Sequence, residues 1–207
     1  MLYNTQKGKN MLVDYTNTEM TENYKLMAQS IIPRPIAWVV TESDGVVNVA
    51  PFSYFTGLSS NPPTMIFSVG HKSDGSPKDT LRNLREQRRC TVCMVKPEHL
   101  ERMHLSSKEM QADRSEAERF DIPLKRIVDG FPPMIEGVPT AFFCELYSEV
   151  DLGASKTIPL IVEIKQQYID DEAISDKERM TIDFEPVARV GKRYALLGEE
   201  VEAPKIP

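Results

Sequence analysis

Short runs of alternating apolar and polar positions dominate the chain, and they predict more strands than helices. Strands are predicted at 36–41, 46–49, 65–69, 90–95, 141–150 and 158–168. Helical spacing of apolar residues predicts helices at 21–29, from Lys78 onward, and at 97–105 and 114–120. The stretch 50–60 shows neither period and is punctuated by Asn61-Pro62-Pro63, so we expect it to be irregular.

The order of these elements indicates an antiparallel, mainly β fold. A turn at Ser43-Asp44-Gly45 joins the first two strands as a hairpin, and strands and helices do not alternate in a βαβ rhythm. We therefore predict a barrel or sandwich with helical excursions. A chain of 207 residues with 41% hydrophobic residues can bury one sizeable core. We assign residues 1–20 to an N-terminal extension and residues 21–207 to a single domain.

Charge and cysteine content narrow the function classes. The net charge of −6 argues against a general nucleic-acid binder. No apolar run is long enough to span a bilayer, and the N-terminus lacks the pattern of a signal peptide. We therefore expect no membrane association. The three cysteines are an odd number in a chain without an export signal, so we expect a reducing, cytoplasmic location.

The pair Cys90 and Cys93 has the C-x-x-C spacing that raises metal and redox interpretations. On a strand, however, positions three apart point to opposite faces, so the two thiols cannot share a metal ion. His99 and His104 are five residues apart on a presumed helix, which is not the spacing of a metal-binding pair. We therefore predict no metal site.

Two stretches carry residues suited to binding an anion. Arg34 lies between Pro33 and Pro35 at the start of a strand; it is either a solvated residue at a strand entrance or a rigid fork for a phosphate. Lys78 and Thr80 lie at a helix start, where free N–H groups favour an anion; the alternative is that Asp79 or Thr80 only caps the helix.

A third stretch, Asn48 to Phe55, mixes a proline with small, polar and aromatic residues. Pro51 breaks the hydrogen-bond ladder of its strand and leaves backbone groups that a flat heteroaromatic ligand could pair. The alternative is an ordinary loop that packs Phe52 and Phe55 into the core.

Taken together, these stretches resemble one family. The segments PRPIAWVVT, NVAPFSYFTGLSSNPPTMIFSVG and KDTLRNL follow one another at the spacings of the flavin reductase-like domain, which belongs to the FMN-binding split β-barrel superfamily. The resemblance covers about residues 21–194 and is strongest at 33–95. Residues 106–130 resemble the variable helical region of that family.

The resemblance implies an antiparallel, Greek-key-like split barrel that forms a homodimer with FMN near the subunit interface. Arg34, Lys78 and Thr80 match phosphate-side positions, and Ser68 matches a hydroxyl near the ribityl chain. The segment from Asn48 to Ser53 matches the part that faces the isoalloxazine, with Trp38 packing near the ring. The full set of implied cofactor-binding residues is Arg34, Pro35, Trp38, Asn48, Val49, Ala50, Pro51, Phe52, Ser53, Ser68, Lys78, Asp79 and Thr80.

The function implied by this resemblance is that of an oxidoreductase that transfers a hydride from NADH or NADPH to flavin, with a partner oxygenase as a candidate recipient. Many family members carry a histidine in a late strand, and the corresponding residues 160–165 here contain none. No catalytic residue is therefore assigned. Two alternative functions remain. One is a non-catalytic FMN-binding electron carrier that does not use a nicotinamide, and the other, a more remote alternative, is a related barrel that oxidises an amine.

Overall fold

The computed structural model describes residues 3–4, 10–153 and 155–206. In chain order, its strands and helices are β1 Tyr3–Asn4, β2 Met11–Leu12, α1 Met20–Ser30, β3 Ala37–Ser43, β4 Val46–Phe52, β5 Phe55–Ser60, β6 Pro63–Val69, α2 Asp79–Gln87, β7 Arg89–Cys93, α3 Leu100–Leu105, α4 Glu116–Arg119, β8 Leu124–Lys125, β9 Met134–Ile135, β10 Thr140–Glu149, β11 Ile158–Ile169, β12 Ile174–Asp176, β13 Thr181–Ile182, β14 Val187–Val190 and β15 Arg193–Leu196. Short 3₁₀ turns lie at Tyr15–Asn17, Pro97–His99 and Asp171–Ala173.

The centre of the fold is a sheet with the strand order β4-β3-β7-β10-β11-β6-β5, in which each neighbouring pair is antiparallel. The edge strands β4 and β5 are consecutive in the chain and are joined by Ser53 and Tyr54 alone. The amide of Ser68 on β6 donates to the Tyr54 carbonyl at 2.9 Å. The sheet therefore curls until its two edges meet at this corner, as the predicted antiparallel, mainly β fold requires.

Successive residues of the strands pack into two separate apolar clusters, one on each face of the sheet. Trp38 and Val40 belong to the cluster that packs against the 97–138 region, while Val39 belongs to the cluster under α2. Leu81 and Leu84 of α2 are fully buried in the second cluster. This is the period-2 alternation expected for strands buried on both sides.

The predicted irregular stretch at 50–60 was wrong. β4 continues to Phe52, and β5 occupies Phe55–Ser60. Pro51 is tolerated because it lies on an edge strand opposite Trp38, where its missing N–H does not interrupt a ladder. The helices of the 97–120 region are shorter than predicted, at Leu100–Leu105 and Glu116–Arg119.

The cysteines have structural positions, as the strand pattern predicts. Cys90 packs in the cluster under α2 and Cys93 in the opposite cluster, and Cys144 lies beside Cys90 on the neighbouring strand. All three are buried free thiols. Burial raises the pKa of Cys93 to about 12, which keeps this thiol protonated at neutral pH.

Within the described residues, no helix combines the length and the apolar character needed to cross a membrane. The predicted boundary between an extension at 1–20 and a domain at 21–207 stays a prediction. Residues 1–2 and 5–9 of that extension lie outside the described residues, and α1 begins at Met20.

Candidate functional site

The outer edge of β4 is the feature around which the candidate site is built. A two-residue turn, Asp44–Gly45, joins β3 to β4, and Ser43 pairs with Val46. In such a hairpin, alternate residues exchange hydrogen bonds with the partner strand. The backbone groups of Val47, Val49 and Pro51 therefore face outward from the sheet.

Two side chains of the 106–130 insertion cover one end of this edge. The Ser115 hydroxyl donates to the Val47 carbonyl at 2.6 Å, and Oε2 of Glu116 accepts from the Val49 amide at 3.0 Å. Pro51 has no amide hydrogen to donate. The register leaves the carbonyls of Val49 and Pro51, followed by Ser53, as the outward-facing part of the edge beyond the insertion.

The start of α2 lies next to this edge and has the features of an anion-binding helix end. Lys78 is the N-cap residue and makes no side-chain cap, so the first N–H groups of the helix are not capped by it. Lys72 lies close by, paired with Asp79 at 2.8 Å, and Asp79 also pairs with Arg82 at 2.6 Å. Asp79 therefore neutralises part of the positive charge at this helix start.

A buried polar network fixes α2 against β4. The Asn48 amide donates to the hydroxyls of Thr80 at 3.0 Å and Thr41 at 3.2 Å, and Asn83 also donates to Thr41 at 3.2 Å. Thr80 is 1% exposed and Asn48 6% exposed. Because Thr80 accepts from Asn48, its own hydroxyl hydrogen is still free to donate.

Two cavities follow the β4 edge. The first, which we call the Lys78 cavity, is small, about 30 Å³, and lies between β4, the start of α2 and residues 106–110. The second, which we call the Pro51 cavity, has about 190 Å³. The Lys78 cavity is lined by Asn48, Ala50, Lys72, Lys78, Asp79, Thr80, Ser106, Ser107, Lys108, Glu109, Met110 and Glu116. The Pro51 cavity is lined by Tyr24, Ile36, Pro51, Ser53, Met103, His104, Ser107, Arg189 and Tyr194. Ser107 lines both cavities, so they are neighbours along the strand, and we call their succession along β4 the path.

The structure thus brings seven of the predicted residues to the lining of the two cavities, namely Asn48, Ala50, Pro51, Ser53, Lys78, Asp79 and Thr80.

Arg34 is not brought together with Lys78 and Thr80. Its side chain is 5% exposed, and Nη1 donates to the carbonyls of Ala28 and Ile31, each at 2.6 Å. Both carbonyls belong to the end of α1, where the chain has no further helical N–H to offer them. Its backbone pairs with Arg189, at 3.1 and 2.8 Å. One guanidinium nitrogen of Arg34 therefore serves the end of α1, and the backbone of Arg34 joins this region to β14.

Other predicted residues also lie elsewhere. Trp38 is fully buried, and its indole N–H donates to Ser106 Oγ at 2.9 Å, so it supports the insertion from below rather than presenting a face to a ligand. Phe52 stacks on Phe67 in the core. Ser68 and Pro35 do not belong to the residues that line the two cavities, and Val49 contributes its backbone while its side chain is buried.

The sequence reasoning missed a cluster at the Pro51 cavity. His104 Nδ1 lies 2.9 Å from the Tyr194 hydroxyl, and the Arg189 guanidinium lies over the Tyr194 ring at 4.6 Å. His104 comes from α3 and Tyr194 from the C-terminal hairpin, so no local spacing could have linked them. The cluster places a histidine beside Pro51 in a chain whose late strand has none.

Glu116 is the more deeply buried of two buried carboxyls in the Lys78 cavity, with 4% of its surface exposed against 8% for Asp79. Burial raises its pKa, and the hydrogen bond from the Val49 amide opposes that shift without cancelling it. The folded protein therefore holds a proton on Glu116 more tightly than the unfolded chain does. Ionisation of Glu116 consequently costs stability as the pH rises above about 4.5, the ordinary value.

Glu116→Gln should remove this cost, because the amide oxygen can still accept from Val49 while no charge is buried. We expect the free energy of unfolding of the variant, relative to that of the wild type, to increase as the pH rises from about 4.5 to 8. Below about pH 4.5 the difference between the two should stay constant. Urea unfolding across this pH range measures it. A difference that does not change with pH, or that favours the wild type at pH 8, would contradict the assignment.

Comparison with known proteins agrees with this geometry. The sequence profile of the family described as "Flavin reductase like domain" matches residues 27–184. Component B of nitrilotriacetate monooxygenase from Bacillus cereus superposes with a TM-score of 0.87 at 28% identity, over 95% of this chain and 100% of that one. The 2-nitrobenzoate 2-nitroreductase NbaA of Pseudomonas fluorescens superposes with a TM-score of 0.84 at 30% identity, over 95% and 96% of the two chains.

A third structure bears on the fold alone. A flavin reductase structure with a split barrel domain, from Shewanella frigidimarina, superposes with a TM-score of 0.76 at 18% identity, over 92% of this chain and 96% of that one. The predicted split barrel is therefore confirmed. Because the family profile spans residues 27–184, which is most of the chain, the protein belongs to the flavin reductase-like domain family.

Proposed function

We propose that the protein binds FMN along the β4 edge and reduces it with NADH or NADPH. The observation that carries the proposal is the order of features along the path. It runs from a cationic helix start at Lys78, along the outward-facing edge of β4, into the Pro51 cavity. A flavin mononucleotide has the matching sequence of parts, with a phosphate at one end and a flat ring edged by carbonyls and ring nitrogens at the other.

Lys78, Thr80 and the first N–H groups of α2 would hold the phosphate. A lysine supplies a point charge, a helix start supplies oriented N–H donors, and Thr80 keeps a hydroxyl hydrogen to donate. The Lys72–Asp79 ion pair partly neutralises the positive charge of the Lys78 cavity. Arg34 is left out of this set because its guanidinium serves the end of α1.

The ring would lie against Ala50 to Ser53. Pro51 prevents a neighbouring strand from pairing with this part of β4, and the insertion covers only Val47 and Val49. Bound FMN would supply the ring that takes up a hydride from the reduced nicotinamide, which would be oxidised in that step. The task of this chain is to hold two rings face to face and to place polar backbone groups at the flavin edge.

Lys78→Ala should weaken FMN binding selectively. The variant loses a charge-assisted contact worth roughly 1.5–3 kcal/mol, which corresponds to a loss of affinity of about tenfold to a hundredfold. Riboflavin has no phosphate, so its affinity should change far less. Fluorescence titration of the flavin-free protein with both ligands measures the two losses.

Lys177→Ala is the matched control for this titration, because Lys177 is an exposed lysine near the distant β12–β13 hairpin. Its affinities for both ligands should equal those of the wild type. Equal losses for FMN and riboflavin in Lys78→Ala, or no loss for FMN, would refute the phosphate placement.

We also propose that the protein is a homodimer, as the family resemblance implies. An exposed apolar stripe runs along α1 at the spacing i, i+4, i+7, i+11, formed by Met20, Tyr24, Met27 and Ile31. These side chains are 69%, 59%, 40% and 53% exposed. A stripe of this kind on a single chain is typical of an interface.

Light scattering should give twice the mass of the 23.5 kDa chain for the wild type and the single-chain mass for Met20→Glu/Met27→Glu. Both substitutions place a charge on the apolar stripe. Met180→Glu is the control, since Met180 is 81% exposed and lies far from α1 in the sequence. A wild type of single-chain mass at micromolar concentration would overturn the dimer.

Two acceptors of the electrons are consistent with the relatives. The component B neighbour supports a partner oxygenase that uses the reduced flavin. The NbaA neighbour favours a second function, the reduction of a small nitroaromatic compound by the bound flavin, for which the Pro51 cavity offers Tyr24 and Tyr194 as ring contacts. If the purified protein oxidises NADH or NADPH in the presence of FMN, either of these two functions is supported over an electron carrier that uses no nicotinamide. A nitrobenzoate added to the same assay separates them from each other.

A further inference from the structure

The roomiest of the cavities described here, about 830 Å³, is a groove between α1 and the β14–β15 hairpin. We call it the α1 groove. Its lining consists of Thr21, Tyr24, Lys25, Ala28, Gln29, Ile32, Arg189, Val190, Gly191, Lys192 and Arg193. A volume of this size is in the range of pockets that take nucleotides and other small molecules.

The α1 groove is a cationic surface on an acidic protein. Lys25, Arg189, Lys192 and Arg193 line it, and none of its lining residues is an aspartate or glutamate. Within the described part of the chain, none of these four cations belongs to an ion pair. The chain as a whole carries a net charge of −6. Four unpaired cations around one cavity therefore favour an anionic ligand.

The groove adjoins the Pro51 cavity, in which the flavin ring is proposed to lie. Tyr24 and Arg189 line both the α1 groove and the Pro51 cavity. A ligand seated in the groove could therefore extend past these two side chains to the outward-facing edge at Pro51 and Ser53. Such a ligand would reach the part of the site proposed for the flavin ring. It would not reach the Lys78 cavity, where the FMN phosphate is proposed to bind.

The walls of the groove are held together by backbone contacts. The Gly191 amide donates to the Ala28 carbonyl at 3.2 Å, and Arg34 pairs with Arg189 through both backbone groups. Gly191 has a φ of +55°, and a Cβ atom there would lie 3.4 Å from Gln29 Cγ. The turn of the hairpin is thus fitted closely to α1, and these contacts hold its backbone in place without a ligand.

We propose that the α1 groove binds the phosphate-bearing part of NADH or NADPH, with Lys192 and Arg193 as its main contacts and the nicotinamide ring directed past Tyr24 and Arg189 into the Pro51 cavity. The inference rests on the proposed function, because it assigns a place to the electron donor of that reaction. The positive charge of the groove matches the negative charge of a dinucleotide, which carries a pyrophosphate and, in NADPH, an additional 2′-phosphate. The four cations offer more charge than a single phosphate needs.

Reversal of the two exposed charges tests the groove. Lys192→Glu/Arg193→Glu in the FMN-loaded protein should raise the KM for NADPH about tenfold or more, with a smaller rise for NADH, because the 2′-phosphate adds charge. The kcat and the affinity for FMN should stay close to those of the wild type. Calorimetric titration with NADP⁺ gives a readout that needs no turnover, and the variant should bind it correspondingly more weakly.

Lys177→Glu/Arg179→Glu is the matched control, because it makes the same change in net charge at an exposed site near the β12–β13 hairpin. It should leave KM and NADP⁺ binding close to the wild-type values. An equal effect in both double variants, or none in either, would overturn the groove assignment while leaving the flavin reductase proposal intact. A wild type that binds FMN but neither oxidises NADH or NADPH nor binds NADP⁺ would overturn the nicotinamide part of the proposed function and the groove together.

Discussion

The candidate site depends on how the free edge of β4 is satisfied. An exposed edge strand presents a row of unpaired N–H and C=O groups, which proteins must cover or interrupt. Here the Ser115 and Glu116 side chains pair with Val47 and Val49, and Pro51 removes the next donor. The groups beyond Pro51 then face outward beside two cavities. The same arrangement that protects the sheet from pairing with another strand therefore provides a polar edge for a flat ligand.

The second constraint is the link between the N-terminal helix and the C-terminal hairpin. Arg34 contacts the end of α1 through its guanidinium and pairs with Arg189 through its backbone. Gly191 then contacts Ala28. These contacts hold the walls of the α1 groove and place Tyr24 and Arg189 at its junction with the Pro51 cavity. The arginine between two prolines thus shapes the site without belonging to the proposed phosphate pocket.

The sequence allowed most of the central strands, an antiparallel, mainly β fold and the opposite faces of Cys90 and Cys93 to be predicted, because alternating burial is a local signal that each strand carries in its own residues. The split barrel was implied by the family resemblance and not by this alternation. It also indicated Lys78, Thr80 and the Asn48–Ser53 segment, since a helix start and a proline-interrupted strand have local signatures. The sequence could not show that Arg34 contacts the carbonyls of Ala28 and Ile31, because these carbonyls become available only once α1 ends and packs beside it. The contact between His104 and Tyr194 joins residues ninety positions apart, so only the tertiary fold brings them together.

The most direct test of the account is amide hydrogen exchange, followed residue by residue by NMR, with and without saturating FMN. The account predicts that FMN slows exchange at Ser53 and at residues 79–81, where outward-facing or uncapped amides would meet the ring and the phosphate. It predicts no change at Val49, whose amide already donates to Glu116, or at residues 28–34. Protection confined to residues 28–34, or unchanged exchange at both Ser53 and residues 79–81 with FMN bound, would contradict the placement of the flavin along the β4 edge.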